Sequence, residues 1–332
     1  MNPSTQRRRA MIAFATRTAA FLAGSAAIGS SIAHAQSYPD KPIHLVVPFP
    51  PGGLTDSIGR MVAERLKGLG QPVIVENRPG AGTLLAGSQV AKAAPDGYTL
   101  MVATSTTLGI APALFKDPPM RINDLTGVAM IGDVTLLLVV RPDFPANGLK
   151  DLVKLLHASP GKYNYATPGN GTVHHLVIEM LKQQERLFAA HIPYRGSGQA
   201  MTDLISGAVD FMLLDAAIGL PQIKAGRLKA VSVTGTRRSP LLPEIAPIGE
   251  VYPEIDLSAW QSIAAPAGTS TTIIERLNKE INAAIESGGL REQLLQVGVD
   301  ATPMSPRQLN QLIDRDATRW AGLVRSSGAR VD

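Results

Sequence analysis

Short apolar runs and helical apolar stripes alternate along this chain, and the alternation predicts its architecture. Ile43–Val47 reads as a strand. After it, Ile58, Met61, Val62 and Leu66 recur at helical spacing between Arg60, Glu64, Arg65 and Lys67. Val73–Glu76 is a second strand, Leu84–Ala94 a helix, and Tyr98–Ala103 a third strand. Val128–Val140 reads as one strand-like run, wholly apolar from Leu136 onward. A second series follows: helix Leu149–His157, strand Tyr163–Ala166, helix Val173–Gln183 and strand Ala190–Tyr194. Helix Ala200–Ser206 and strands Val209–Leu214 and Leu228–Val233 complete it. Trp260–Ala265 is strand-like again, and helices cover Thr271–Ser287, Leu290–Gln296 and Pro306–Ser326. Strands alternating with helices predict α/β lobes built on parallel sheets.

A chain that builds one such unit, then another, then returns predicts two lobes joined by two crossover strands. Leu136–Val140 leads out and Trp260–Ala264 leads back. Residues 36–135 with 261–332 form lobe 1, and residues 136–260 form lobe 2. That topology permits hinge closure over a ligand in the cleft between the lobes. Ligands of open α/β sheets sit beyond the carboxyl ends of the strands. Two glycine-rich junctions fall there: PFPPGGLTD (Pro48–Asp56) and YATPGNGTVHH (Tyr165–His175). Glycine lets the backbone approach a ligand closely. The first N–H groups of the following helix have no intrahelical partner and lie at the positive end of its dipole, which suits a carboxylate or phosphate.

Charge and composition narrow the class. Residues 1–35 carry Arg7, Arg8, Arg9 and Arg17, an apolar stretch, and Ala33-His34-Ala35, which together read as an export signal cleaved after Ala35. Its arginine pair leaves both the general and the twin-arginine export routes open. The chain's net charge of +5 falls to +1 without those four arginines, because the segment holds no acid. Nucleic-acid binding thereby loses its support, since a basic footprint belongs in the folded part. Zero cysteines excludes disulfides and thiolate chemistry. No later run suits a membrane span, so direct insertion is not expected. The expected location is the periplasm.

The sequence resembles the Bug family, the TctC-like extracytoplasmic solute receptors of tripartite tricarboxylate transporters. The matching runs include YPDKPIHLVVPFPPGGLTD, VIVENRPGAG, PDGYTL, PGKYNYATPGNGTVHHL, IPYRGSGQA, LISGAVDFMLLD, GRLKAVSVTGTRR and WQSIAAPAGT, in the family's order. The resemblance implies a type II-like periplasmic-binding-protein fold and a cleft ligand that is a small carboxylate or amino acid. It also implies a monomer working with inner-membrane permease subunits, with no catalysis and no cofactor. APIGEVYPEI (Ala246–Ile255) departs from the family pattern in a surface loop. Pro168 departs beside the expected ligand.

The site candidates carry competing roles. In the first junction Phe49, Gly52, Gly53, Leu54, Thr55 and Asp56 form a cradle, against a plain strand–helix turn. In the second, Thr167, Gly169, Gly171 and Thr172 form the other cradle, and His175 matches the family's histidine. A dinucleotide fingerprint fails there because His174 occupies the third glycine position. Thr104, Ser105 and Thr106 close a strand with hydroxyl donors, against simple turn chemistry. Tyr194 and Arg195 end another; Arg195 could fork onto a carboxylate or join a structural ion pair. Asp215 is a candidate acceptor for a ligand ammonium or hydroxyl, against capping the next turn. No metal-ligand spacing is present.

Magnitudes favour a clamp: a micromolar ligand needs about −8.2 kcal/mol. One charge-assisted hydrogen bond contributes roughly 1.5–3 kcal/mol, so two cradles serve better than one. Two rival functions remain at this level. One is a sensor subunit that hands its closed form to a membrane receptor. The other is a serine-dependent hydrolase, for which no G-x-S-x-G elbow exists.

Overall fold

The computed structural model describes residues 38–194, 196–255, 259–287 and 289–327. The predicted export signal and its cleavage site lie outside the described residues, as does Arg195. Residues up to Asp40 form a unit of their own, and Lys41–Asp332 form a second that contains every element below.

The strands are β1 (Ile43–Val47), β2 (Val73–Asn77), β3 (Thr99–Thr104), β4 (Leu125–Val134), β5 (Leu136–Val140), β6 (Asn164–Thr167), β7 (Ala190–Pro193), β8 (Phe211–Asp215), β9 (Lys229–Val233), β10 (Ala259–Pro266) and β11 (Val299–Ala301). The α-helices are α1 (Leu54–Leu66), α2 (Leu84–Ala91), α3 (Ala111–Leu114), α4 (Leu149–Ala158), α5 (Val173–Gln184), α6 (Ser197–Ser206), α7 (Ala216–Lys224), α8 (Ile248–Val251), α9 (Thr271–Ser287), α10 (Leu290–Gln296) and α11 (Pro306–Ser327).

Two sheets carry them. One has the order β11-β4-β10-β3-β1-β2 and the other β7-β6-β8-β5-β9. β1, β2 and β3 run parallel, as do β6, β7 and β8. The parallel expectation holds for these strands, whereas β10 runs antiparallel to β3 and β4, and β5 antiparallel to β8 and β9. The strands where the chain leaves or re-enters a lobe insert in the reverse sense. Both strands are buried throughout: LLLVV in β5 is an unbroken apolar run, as burial on both faces favours, whereas AWQSIAAP in β10 carries buried Gln261 and Ser262 within it.

The expected single run Val128–Val140 breaks at Thr135. Its N–H donates to Gly298 O (2.8 Å) and its carbonyl accepts from Ala216 N–H (3.1 Å). Gly298 follows α10 in the first lobe, and Ala216 opens α7 in the second, so one residue is held from both sides at the crossing. A Cβ on Gly298 would fall 2.6 Å from Ala216 Cβ. Neither crossover strand spans both sheets: β5 belongs to the second and β10, including Ala259 and Trp260, to the first. Helix α7 was missed because Pro221 lies inside it, and proline breaks the helical pattern. β11 is too short at three residues for periodicity to show.

Packing aims the first helix. The buried face of α1 is Thr55, Asp56, Ile58, Gly59, Val62, Ala63 and Leu66. A Cβ on Gly59 would stand 2.9 Å from Val47 Cγ2, so glycine there lets α1 lie against β1 and present its N-terminus at the strand's end.

Candidate functional site

The first junction is braced by its own acid. Gly52 takes φ +85°, and Gly53 caps α1 with no side-chain hydrogen bond. Asp56, only 4% exposed, accepts from Gly52 N–H (2.9 Å), Asn77 Nδ2 (2.9 Å), and Arg60 Nε and Nη2 (both 3.0 Å). Asn77 Nδ2 also donates to Phe49 O (3.0 Å). Burial pushes the Asp56 carboxyl upward, but the hydrogen bonds from Arg60, Gly52 and Asn77 outweigh it and hold the pKa below the ordinary value. Asp56 is thus committed to shaping the Phe49–Gly52 loop, and the main chain of Gly53, Leu54 and Thr55 forms the helix N-terminus beyond it.

A residue the sequence reading passed over sits beside this cradle. Gln261 on β10 is 6% exposed and stands opposite Thr104 in the ladder. Its Nε2 donates to Thr55 Oγ1 (3.1 Å), while its Oε1 is buried without a hydrogen-bond partner. A lone amide inside an apolar strand was the available signal. Thr104 Oγ1 accepts from Thr107 N–H (3.2 Å), and Thr104 and Ser105 are both buried. The chain turns from them into the π-helical Thr106–Ile110 segment.

The second junction is braced by imidazoles. Gly169 and Gly171 take φ +154° and +69°. Thr172 caps α5: its Oγ1 accepts from His175 N–H (3.3 Å) and donates to Gly169 O (2.9 Å). Gly171 N–H donates to His175 Nδ1 (3.2 Å), which places the ring proton on Nε2, facing Glu179 at 3.9 Å. The His175 ring stacks on His191 with centroids 4.0 Å apart, and Tyr165 lies flat against His191. Thr167 Oγ1 lies 2.6 Å from His191 Nε2. Tyr165 donates its phenol to Glu179, which also accepts from Lys182 Nζ (2.6 Å). Like Asp56, then, Thr167, Thr172 and His175 hold the loop's shape. Tyr194 N–H and Gly196 N–H tie the next strand end to Thr167 O and Pro168 O. The Tyr194 hydroxyl donates to Asp203 (2.7 Å), and burial with that bond pushes its pKa up to about 12.

This imidazole stack has a pH signature. Burial lowers His175, and burial with the neighbouring His175 lowers His191 to about 4. The unfolded chain titrates near 6.5, so between these values it binds more protons than the fold, and stability falls with falling pH. The stack's contribution should be whole above about pH 6.5 and lost as the pH drops toward about 4. Thermal melts across that range check it: His191→Asn should show a shallower loss than the wild type, and parallel curves would exclude the stack as the cause.

Asp215 ends β8 and precedes α7 without capping it through its side chain. His174 Nε2 lies 3.7 Å from Asp215 Oδ1. From the sequence, His174 breaks the dinucleotide fingerprint and, adjacent to His175, points to another helix face. It is buried, and neither ring nitrogen has a hydrogen-bond partner. Helix α3, which lies between β3 and β4 of the first sheet, reaches this junction directly, since a Cβ on Gly171 would fall 2.2 Å from Leu114 Cδ1. Ser326 Oγ of α11 also donates to Gln183 Oε1 of α5 (3.2 Å).

A profile described as "Tripartite tricarboxylate transporter family receptor" matches residues 58–329. The chain belongs to the TctC, or Bug, family of solute receptors. Protein BugT of Bordetella pertussis is 37% identical over 303 residues, covering 90% of this chain and 92% of BugT. MatC (Rpa3494) from Rhodopseudomonas palustris, solved with bound malate, is 32% identical with a TM-score of 0.74, covering 86% of this chain and all of MatC. R. palustris Rpa4515, solved with adipate, is 28% identical with a TM-score of 0.79, covering 88% of this chain and 99% of Rpa4515. The two-lobe periplasmic-binding fold is therefore this TctC-family chain's fold, and its class is that of solute-binding receptors rather than enzymes. Among the described residues, no helix is long and apolar enough to cross a membrane.

Proposed function

We propose that this chain captures a small carboxylate in a cleft between two lobes, one built on the β11-β4-β10-β3-β1-β2 sheet and one on the β7-β6-β8-β5-β9 sheet, and delivers it to inner-membrane permease subunits. One observation carries the reading. Each lobe has a glycine loop leading into a helix N-terminus, and each loop is fixed from behind by polar side chains: buried Asp56 in one, buried His175 with half-buried Thr172 in the other. Loops ordered before binding lose little entropy when an anion arrives. Carboxylate ligands in MatC and Rpa4515 support the ligand class. Cleavage after Ala35 would release the mature receptor into the periplasm.

Thermal-shift screening of the chain from Gln36 onward, against dicarboxylates, hydroxy acids and amino acids, tests this. A ligand at a hundred times its Kd stabilises the fold by about 2.7 kcal/mol, which is visible as a shift of several degrees. An absence of any shift across millimolar acids would overturn the proposal.

A further inference from the structure

The carboxylate cradle makes no use of the His174 side chain. It lies in the first turn of α5, 9% exposed, with Nδ1 and Nε2 both unpartnered. Buried polar atoms in folded proteins are satisfied by protein, water or ligand, and two such atoms on one ring mark a place where something else belongs. Its neighbour in sequence shows the contrast, for His175 Nδ1 is taken by Gly171 N–H.

His174 Nε2 stands 3.7 Å from Asp215 Oδ1. That is too long for a hydrogen bond and short enough for one further atom to touch both. The place is apt for a ligand: β6, which leads into α5, runs parallel to β8, which ends at Asp215. The pair therefore sits over the carboxyl ends of parallel strands. The carboxylate facing Nε2 favours the tautomer with its proton there, as acidic partners of imidazoles do. An atom between them must then accept from His174 and donate to Asp215. A hydroxyl does both, an ammonium has no lone pair to offer, and a methylene does neither.

We infer that His174 and Asp215 together form a hydroxyl-reading subsite, and that the receptor takes a 2-hydroxy acid in preference to its deoxy counterpart. This rests on the carboxylate proposal above. A carboxylate on the first N–H groups of α5 puts its neighbouring carbon, and the hydroxyl on it, beside the side chain of the same helical turn. Sites that hydrogen-bond a substrate hydroxyl discriminate strongly against analogues lacking it, because their own polar groups are then left unpaired.

Isothermal calorimetry with L-malate, succinate and L-aspartate on the wild type, His174→Leu and His174→Gln is the test. The wild type should bind malate at least tenfold tighter than succinate. His174→Leu should bring that ratio to within about twofold of one, with the loss falling on malate. His174→Gln, whose amide N–H replaces the Nε2 donor, should keep most of it. Should His174→Leu fail to fold by circular dichroism, Asp215→Ala supplies the same readout at a side chain that is only partly buried. A malate-to-succinate ratio that survives His174→Leu, or its absence in the wild type, overturns the subsite while leaving the carboxylate proposal standing. Aspartate binding tighter than malate also overturns it, in favour of an ammonium subsite. If none of the three acids binds, and the broader acid screen is silent too, the carboxylate proposal falls and the subsite with it.

Discussion

Gly171→Val is expected to weaken ligand binding by at least a hundredfold while leaving most of the secondary structure intact. Two independent effects act at this position. Gly171 has φ +69°, a conformation that costs a β-branched residue on the order of 1–3 kcal/mol. The new Cβ would also stand 2.2 Å from Leu114 Cδ1 and 3.0 Å from Cδ2, and Leu114 lies on the helix between β3 and β4 of the other sheet. Side-chain rotation of Leu114 relieves part of the clash, but nothing relieves the backbone, whose N–H must still reach His175 Nδ1 (3.2 Å). The double variant Gly171→Val, Leu114→Ala separates the two effects: partial recovery of affinity assigns the recovered part to lobe contact and the remainder to the loop. Calorimetry with the best acid from the screen, beside far-ultraviolet circular dichroism, provides the measurement. Affinity within threefold of wild type would exclude the second junction from the site. Gly53 makes a useful comparison. Its φ is −84° and an added Cβ would meet only Pro50 O at 3.8 Å, so Gly53→Val acts through the ligand's space alone.

The contrast between these glycines shows what could be read from the sequence and what could not. Glycine beside proline at a strand's end announces a junction, and both junctions lie where the sequence placed them because the flanking apolar runs set the strand and helix on either side. The sequence carries no sign of which glycine has open space beside it and which has the other lobe. The same limit applies to side chains. Asp56, Thr167 and His175 were legible as junction residues from their position, yet Asn77 and His191, the partners of Asp56 and Thr167, lie 21 and 24 residues away on other elements, and only Glu179, one turn beyond His175 on the same helix, was within local reach. His174 and Gln261 were passed over for a related reason. A histidine in the first turn of an apolar helix, or a glutamine in an apolar strand, reads as an exception until burial shows both ring nitrogens of His174, and Oε1 of Gln261, without a partner.

Asp56→Ala should weaken binding of the same acid by roughly tenfold to a hundredfold, and here two effects oppose each other. Deleting an anion beneath a helix N-terminus makes the site more positive, which favours a carboxylate ligand. It also releases Gly52 N–H and the Asn77 amide from their shared acceptor, so the loop from Phe49 to Gly52 loses its brace and must be ordered by the ligand. The ordering effect should dominate. Arg60 already meets Asp56 through two 3.0 Å hydrogen bonds, so the carboxylate's charge is largely compensated and its removal gains little. Arg60 itself is more than half exposed, where ion pairs contribute weakly, so losing that pair alone is minor. Asp56→Asn divides the effects, since it keeps an oxygen for Gly52 N–H and removes the charge. It should fall between the wild type and Asp56→Ala. Tighter binding by Asp56→Ala would show that repulsion outweighs ordering, and that the first junction holds its shape without this side chain.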